Sequence, residues 1–151
     1  MKRIRPLLTA AAALAIASGI AMLPALTSAA PAGAAVSCTG TSLVPDTGGL
    51  VQVRVPTVGN GTGNVNCQLG LGNQSVAVSR LQIALNQCDS HEFDPPLLAV
   101  DGDYGQLTQD AVAGTQASLH ISVDGIYGPQ TRRTMAWPVA GSSGGICAFV
   151  N

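Results

Sequence analysis

Between Ser75 and Cys88 the positions Val78, Leu81, Leu85 and Cys88 recur with the spacing of one helical face, and Ser75 stands where a hydroxyl can cap the first turn. This predicts a helix ending near Cys88, ahead of a loop, "DSHEFDPP", whose two prolines prevent its continuation. An earlier stretch, "LVQVRVPTV", has another period. Val51, Val53 and Val55 alternate with Gln52 and Arg54, as in a half-buried strand that Pro56 stops or confines to an edge. Gly59 to Asn64, "GNGTGN", is turn-forming. Two more helices are expected. One runs from about Gln106 to Leu119 with Leu107, Ala111, Val112, Thr115 and Leu119 inward, and one from Pro129 to about Trp137. The tail from Gly145, "GICAFVN", suits a short strand beside the first.

A third pattern opens the chain. Lys2, Arg3 and Arg5 precede an almost unbroken apolar run, Leu7 to Ala25, and small residues follow through Ala35. That order is the order of a secretory signal, so residues 1–35 are expected to be removed. Ser18, Gly19 and Pro24 interrupt the run, which disfavours a retained anchor of about 20 apolar residues. The remainder suits one small domain, without room for a catalytic domain beside a binding domain. Its charges are Arg54, Arg80, Arg132 and Arg133 against all eight acidic residues of the chain, with no lysine. Nucleic acid and anionic lipid, which call for basic patches, are disfavoured as partners.

Cys38, Cys67, Cys88 and Cys147 form an even set in a chain read as exported, which predicts two disulfides. No close CxxC pair suggests zinc. Three pairings are open to four cysteines. The preferred one joins Cys38 to Cys67 and Cys88 to Cys147, closing the amino-terminal segment on itself and tying the tail to the end of the first helix.

The chain also repeats itself. Val100 to Val112 and Val123 to Met135 agree at Val, Asp, Gly, Tyr, Gly and Thr, 23 residues apart, the mark of a duplicated supersecondary unit. Asp-Gly is a turn signal: Gly102 and Gly125 suit positive φ, and Asp101 and Asp124 can accept from nearby amides. Val and Tyr flank the turn as apolar anchors. Gly105 and Gly128 permit close approach at the helix start, Pro129 suits a first helical position, and Thr108 and Thr131 can bond back to the turn. A calcium loop is a poorer fit, because counting from Asp101 the fifth position is Gly105 and the twelfth is Val112 rather than Glu. Asp101 and Asp124 as a catalytic acid and base remain an alternative, weaker than the turn reading.

Three ordered blocks, "LGLGNQSVAVSRLQIALNQC", "VDGDYGQLTQDAV" and "TQASLHISVDGIYGPQTRRTM", together resemble the peptidoglycan-binding domain found beside many bacterial cell-wall hydrolases. Leu69, Gly72, Val78, Leu81, Gln82 and Leu85 carry the first block. Val100, Asp101, Gly102, Tyr104, Gly105, Thr108, Ala111, Val112 and Gln116 carry the second, and Val123, Asp124, Gly125, Gly128, Pro129 and Thr131 the third. The resemblance implies a mainly α, small three-helix bundle over residues 69–137. A Gly/Thr/Val-rich, β-like extension precedes it at 36–68 and a tail follows at 138–151; together they would form a short disulfide-tethered β element. Three departures are visible: Ser75 where the family has Gly, His120 where a Gly closes the second helix, and Thr115 in place of a core aromatic.

The chain offers little for catalysis. His91 and His120 are its two imidazoles, no His-x-x-x-His cluster is present, the cysteines are assigned to bridges, and "GSSGG" lacks the Gly-x-Ser-x-Gly spacing. No enzyme activity, metal or cofactor is expected. The reading is a secreted, monomeric, non-catalytic protein of the cell wall or its surroundings that binds peptidoglycan. The alternative is a secreted interaction or inhibitor protein holding a partner such as a wall hydrolase. The candidate ligand residues are Arg80 and Arg132 (with Arg133) as carboxylate clamps, Tyr104, Tyr127 and Trp137 as stacking or hydrogen-bonding groups in a shallow groove, and Asp124. The competing assignment for the three aromatics is the core.

Overall fold

The structure, a computed structural model, describes residues 35–89, 97–142 and 145–151. The expected signal segment lies outside the described residues except for Ala35, as do His91 and the prolines of its loop. Among the described residues no helix is long and apolar enough to cross a membrane.

β1 (Gly40–Pro45) and β2 (Gln52–Thr57) form an antiparallel hairpin, with Gly40 opposite Thr57 and Pro45 opposite Gln52. The expected alternation holds in β2: Val53 and Val55 are fully buried while Gln52 and Arg54 are exposed. The Asp46 carboxylate closes the turn, accepting from Leu50 N at 2.7 Å and Val51 N at 3.0 Å. Pro56 lies inside β2 opposite Thr41. Its missing N–H is harmless, because Thr41 turns its own groups outward, donating to Asn60 Oδ1 at 3.0 Å and accepting from Gly61 N at 2.9 Å. The turn after β2 thereby folds back over β1, and Gly40 has to be glycine because a Cβ there would collide with the Asn60 backbone.

α1 (Val76–Cys88) begins under Ser75, whose hydroxyl accepts from Val78 N, and lays Ala77, Val78, Leu81, Ala84 and Leu85 on the core. Its main partner is β2. α2 (Gln106–Ser118) buries Thr108, Ala111, Val112, Thr115 and Gln116. Leu107, expected inward, is 72 % exposed: it stands one residue, about 100° of helical rotation, away from Thr108 on that face. α3 (Pro129–Thr134) stops three residues short of Trp137. Met135 is already extended, and β3 (Trp137–Pro138) pairs antiparallel with β4 (Cys147–Ala148). The tail strand therefore lies beside β3 and not beside the first strand, although Thr47 N at the hairpin turn donates to Phe149 O at 2.8 Å.

The three expected helices and a β element from the segments on either side of them are present, in a chain that is only partly helical. Helices of 13, 13 and 6 residues share one core with two small antiparallel sheets. Val53 and Val55 of β2, the inner face of α1, Trp137 and Val150 belong to one cluster. Trp137, past the end of α3, is fully buried. The cysteines pair Cys38 to Cys67 and Cys88 to Cys147.

Candidate functional site

Each Asp-Gly phrase folds around a glutamine from the preceding helix. Gln82 of α1 directs Nε2 at Asp101 Oδ1 (2.8 Å), Asp103 O (3.0 Å) and Thr108 Oγ1 (3.2 Å), while its Oε1 accepts from Gly102 N at 3.0 Å. Gln116 of α2 repeats the arrangement with Asp124 Oδ1 (2.8 Å), Ile126 O (3.0 Å) and Thr131 Oγ1 (3.1 Å), and accepts from Asp124 N and Gly125 N at 3.0 and 2.9 Å. Both amides are buried, and in that setting a fully satisfied network fixes the loop in one conformation. The aspartates close their own turns: Asp103 N donates to Asp101 Oδ1, and Ile126 N to Asp124 Oδ1, both at 2.9 Å. Gly102 and Gly125 have φ of 80° and 66°, and a Cβ would stand 2.9 Å from Ser79 Oγ at the first and 2.7 Å from Gln109 Cγ at the second.

Residues 69–74 join the two phrases. Leu69 exchanges both backbone hydrogen bonds with Tyr127, each at 2.9 Å; Tyr104 N donates to Asn73 O at 2.9 Å and Tyr104 O accepts from Gly72 N at 3.0 Å. The resulting platform has an exposed rim of Asp101, Asp103, Asp124, Leu71 and Ile126. The Gln82 amide, with the Asp103 N–H, holds the Asp101 carboxyl below the ordinary carboxylate range. Chemically the rim can accept hydrogen bonds from amide N–H groups or an ammonium.

Of the six candidate ligand residues, Asp124 is on this rim and the others are not. Tyr104 and Tyr127 are each 1 % exposed, and Trp137 is 0 % exposed with its Nε1 donating to Arg132 O at 3.0 Å. Tyr127 and Trp137 meet edge to face with ring centroids 5.9 Å apart. As stacking groups these aromatics are corrected to core residues: all three belong to the buried hydrophobic cluster, and burial raises both tyrosine hydroxyls far above their ordinary pKa. Arg80 is half-buried, donating from Nε to Arg54 O (2.7 Å) and from Nη2 to Pro138 O (3.0 Å), which ties α1 to β2 and β3. Arg132 is 3 % exposed and donates to Asn151 O. Burial lowers both guanidinium pKa values, with Arg54 adding to it at Arg80. Among the described residues, Arg133 and Arg54 are the exposed arginines.

Two turn anchors also differ from expectation. Val100 and Val123 are about half exposed, so tyrosine alone anchors each phrase inward. Gly105 has open space where a Cβ would go, so close approach does not dictate it. Gln82 and Gln116, which organise the site, were legible only as pattern matches. The available signal was an amide at an inward helical position, beside Leu81 and Thr115. Among the described residues no three His, Cys, Asp or Glu side chains gather as a metal site.

Residues 74–135 match the family described as a putative peptidoglycan binding domain. The match takes in all three helices and both phrases and leaves out the hairpin, β3 and β4. A stretch of 52 residues, 34 % of this chain, is 38 % identical to a probable N-acetylmuramoyl-L-alanine amidase of Bacillus licheniformis, and covers 15 % of that protein's length. Among solved structures, a peptidoglycan-binding protein from Clostridioides difficile in complex with glutamine hydroxamate is similar, at 21 % identity and a TM-score of 0.41, over 60 % of this chain and 53 % of that one.

Proposed function

From residues 74–135, which match the putative peptidoglycan binding domain, we propose that the protein is a secreted, non-catalytic binder of peptidoglycan, exported by residues 1–35 and working as a monomer at the wall. The family match is the observation that carries this reading, and the platform of two glutamine-locked turns supports it. A rigid surface loses little conformational entropy on binding. Its carboxylates, Asp124 among them, suit the amide N–H groups and diamino-acid ammonium of stem peptides. The same locking argues against acid–base catalysis by Asp101 and Asp124, since Oδ1 of each is occupied by a glutamine amide and a backbone N–H.

Sedimentation with purified insoluble sacculi, with chitin and cellulose as controls, tests the proposal. Co-sedimentation with sacculi is expected, and failure to pellet across a range of salt would sink it. Release of soluble fragments from the sacculi, abolished by Asp124→Asn, would overturn the non-catalytic part.

A further inference from the structure

The hairpin, outside residues 74–135, carries an open depression of about 500 Å³ between β1 and the turn after β2, lined by Thr41, Leu43, Arg54, Asn60 and Thr62 among others. No acidic residue lines it, so Arg54 supplies its only formal charge. The walls are fixed. Asn60 Oδ1 and Gly61 N hold Thr41 at 3.0 and 2.9 Å, Thr62 Oγ1 donates to Gly59 O at 3.1 Å, and Gly63 N donates to Ser42 Oγ at 3.0 Å. With its Oδ1 engaged, Asn60 presents Nδ2 as a donor. The Arg54 backbone is held from behind by Arg80 Nε at 2.7 Å, and its Nη1 reaches Thr41 Oγ1 at 3.3 Å, leaving most of the guanidinium fork unused.

A guanidinium fork beside an amide donor and a hydroxyl, in a shallow hollow of mixed polar and apolar lining that holds no aromatic residue, matches a planar carboxylate rather than a sugar face. We propose that this hollow binds the terminal carboxylate of a short peptide, with Arg54 as the clamp and Asn60 Nδ2 as a second donor. The site is separate from the platform of the two phrases, and its test uses no wall material, so it stands or falls independently of wall binding.

The test is a ¹⁵N-amide titration of the disulfide-bonded protein with N-acetyl-alanyl-alanine, its carboxylate free, and with the carboxamide of the same dipeptide. Saturable shifts at Thr41, Asn60, Gly61 and Thr62 are expected with the carboxylate and not with the carboxamide. Arg54→Gln should weaken binding by about tenfold or more, Arg54→Lys by less, and Gln130→Ala, at an exposed position on α3 away from the hollow, should leave it unchanged. Unchanged dispersion in the variant spectra shows that the fold is intact. The proposal is overturned by the absence of saturable shifts at these amides, by equal response to the carboxamide, or by an unchanged titration in a folded Arg54→Gln.

Discussion

The hydroxyl of Tyr104 donates to the carbonyl of Gly125 at 2.9 Å, so the tyrosine of the first Asp-Gly phrase is bonded to the turn of the second. Tyr127 holds the same position in the second phrase and is equally buried, yet its hydroxyl has no hydrogen-bond partner among the described residues. The two copies therefore respond differently to the same change. Tyr104→Phe leaves a buried carbonyl unsatisfied and is expected to cost about 1–3 kcal/mol. Tyr127→Phe removes a buried hydroxyl that bonds to nothing, so stability should stay within about 0.5 kcal/mol or rise. Urea unfolding of the two variants compares them directly, and equal losses would refute the asymmetry.

Gln116 gives a larger effect. Gln116→Leu strips partners from Asp124 N, Gly125 N, Ile126 O and Thr131 Oγ1 at once. A loss of about 3–5 kcal/mol is expected, at the upper end for a point change. Gln116→Glu is the sharper test, because it puts a carboxylate oxygen where Nε2 now meets Asp124 Oδ1 at 2.8 Å. Its destabilisation should shrink as the pH falls and the pair takes up a proton. Thermal unfolding at pH 4 and pH 7 reads this, and a pH-independent loss would contradict the assigned amide orientation.

The local chemistry of these turns was legible because it is written in neighbouring residues. Asp101, Gly102 and Thr108, with their counterparts Asp124, Gly125 and Thr131, take the expected conformations and bonds, and Ser75 caps α1 as its position suggests. What escaped the sequence depends on contacts distant along the chain. Nothing local says that Trp137 leaves a helix to pair with Ala148, or that Arg132 turns inward to Asn151. An arginine followed by another arginine reads as a solvated pair until the tail folds over one of them. The aromatics read as ligand candidates for a similar reason. Tyr and Trp suit a binding groove and a core equally well by type, and the choice rests on what covers them.

His120 tests a departure that was visible in the sequence. It is the non-glycine residue in the left-handed region among those described, with φ of 55°. His120 N donates to Ala117 O and Ile121 N to Gln116 O, both at 3.1 Å, the paired bonds of a Schellman helix end. Left-handed backbone disfavours a side chain with a Cβ, while glycine is freer in the unfolded chain. The first effect is the larger here, so His120→Gly should stabilise by about 0.5–1 kcal/mol, seen as a higher Tm. A lower Tm would mean that the imidazole makes a stabilising contact worth more than the strain.

Asp89 sets a pH dependence. It ends α1 beside Cys88 of the Cys88–Cys147 bridge, with Oδ2 buried and unpartnered among the described residues. Burial raises its pKa from 3.8 to about 7, against the smaller lowering effect of the Ala136 amide. A carboxylate at a helix carboxyl terminus also faces the negative end of the dipole. Below about pH 4 the group is protonated whether the chain is folded or not, and it has no effect on stability. Between about pH 4 and 7 the unfolded chain loses the proton first, so the folded state binds more protons and stability falls as pH rises. Above about pH 7 the loss is complete. The full shift corresponds to about 4 kcal/mol, and solvent screening reduces the expected figure to about 1–2 kcal/mol. Asp89→Asn removes the titration, so its stability relative to the unchanged protein should rise across that window and level off above it. Two unfolding-stability curves that run parallel from pH 4 to pH 8 would show that Asp89 ionises in the folded protein at its ordinary pKa.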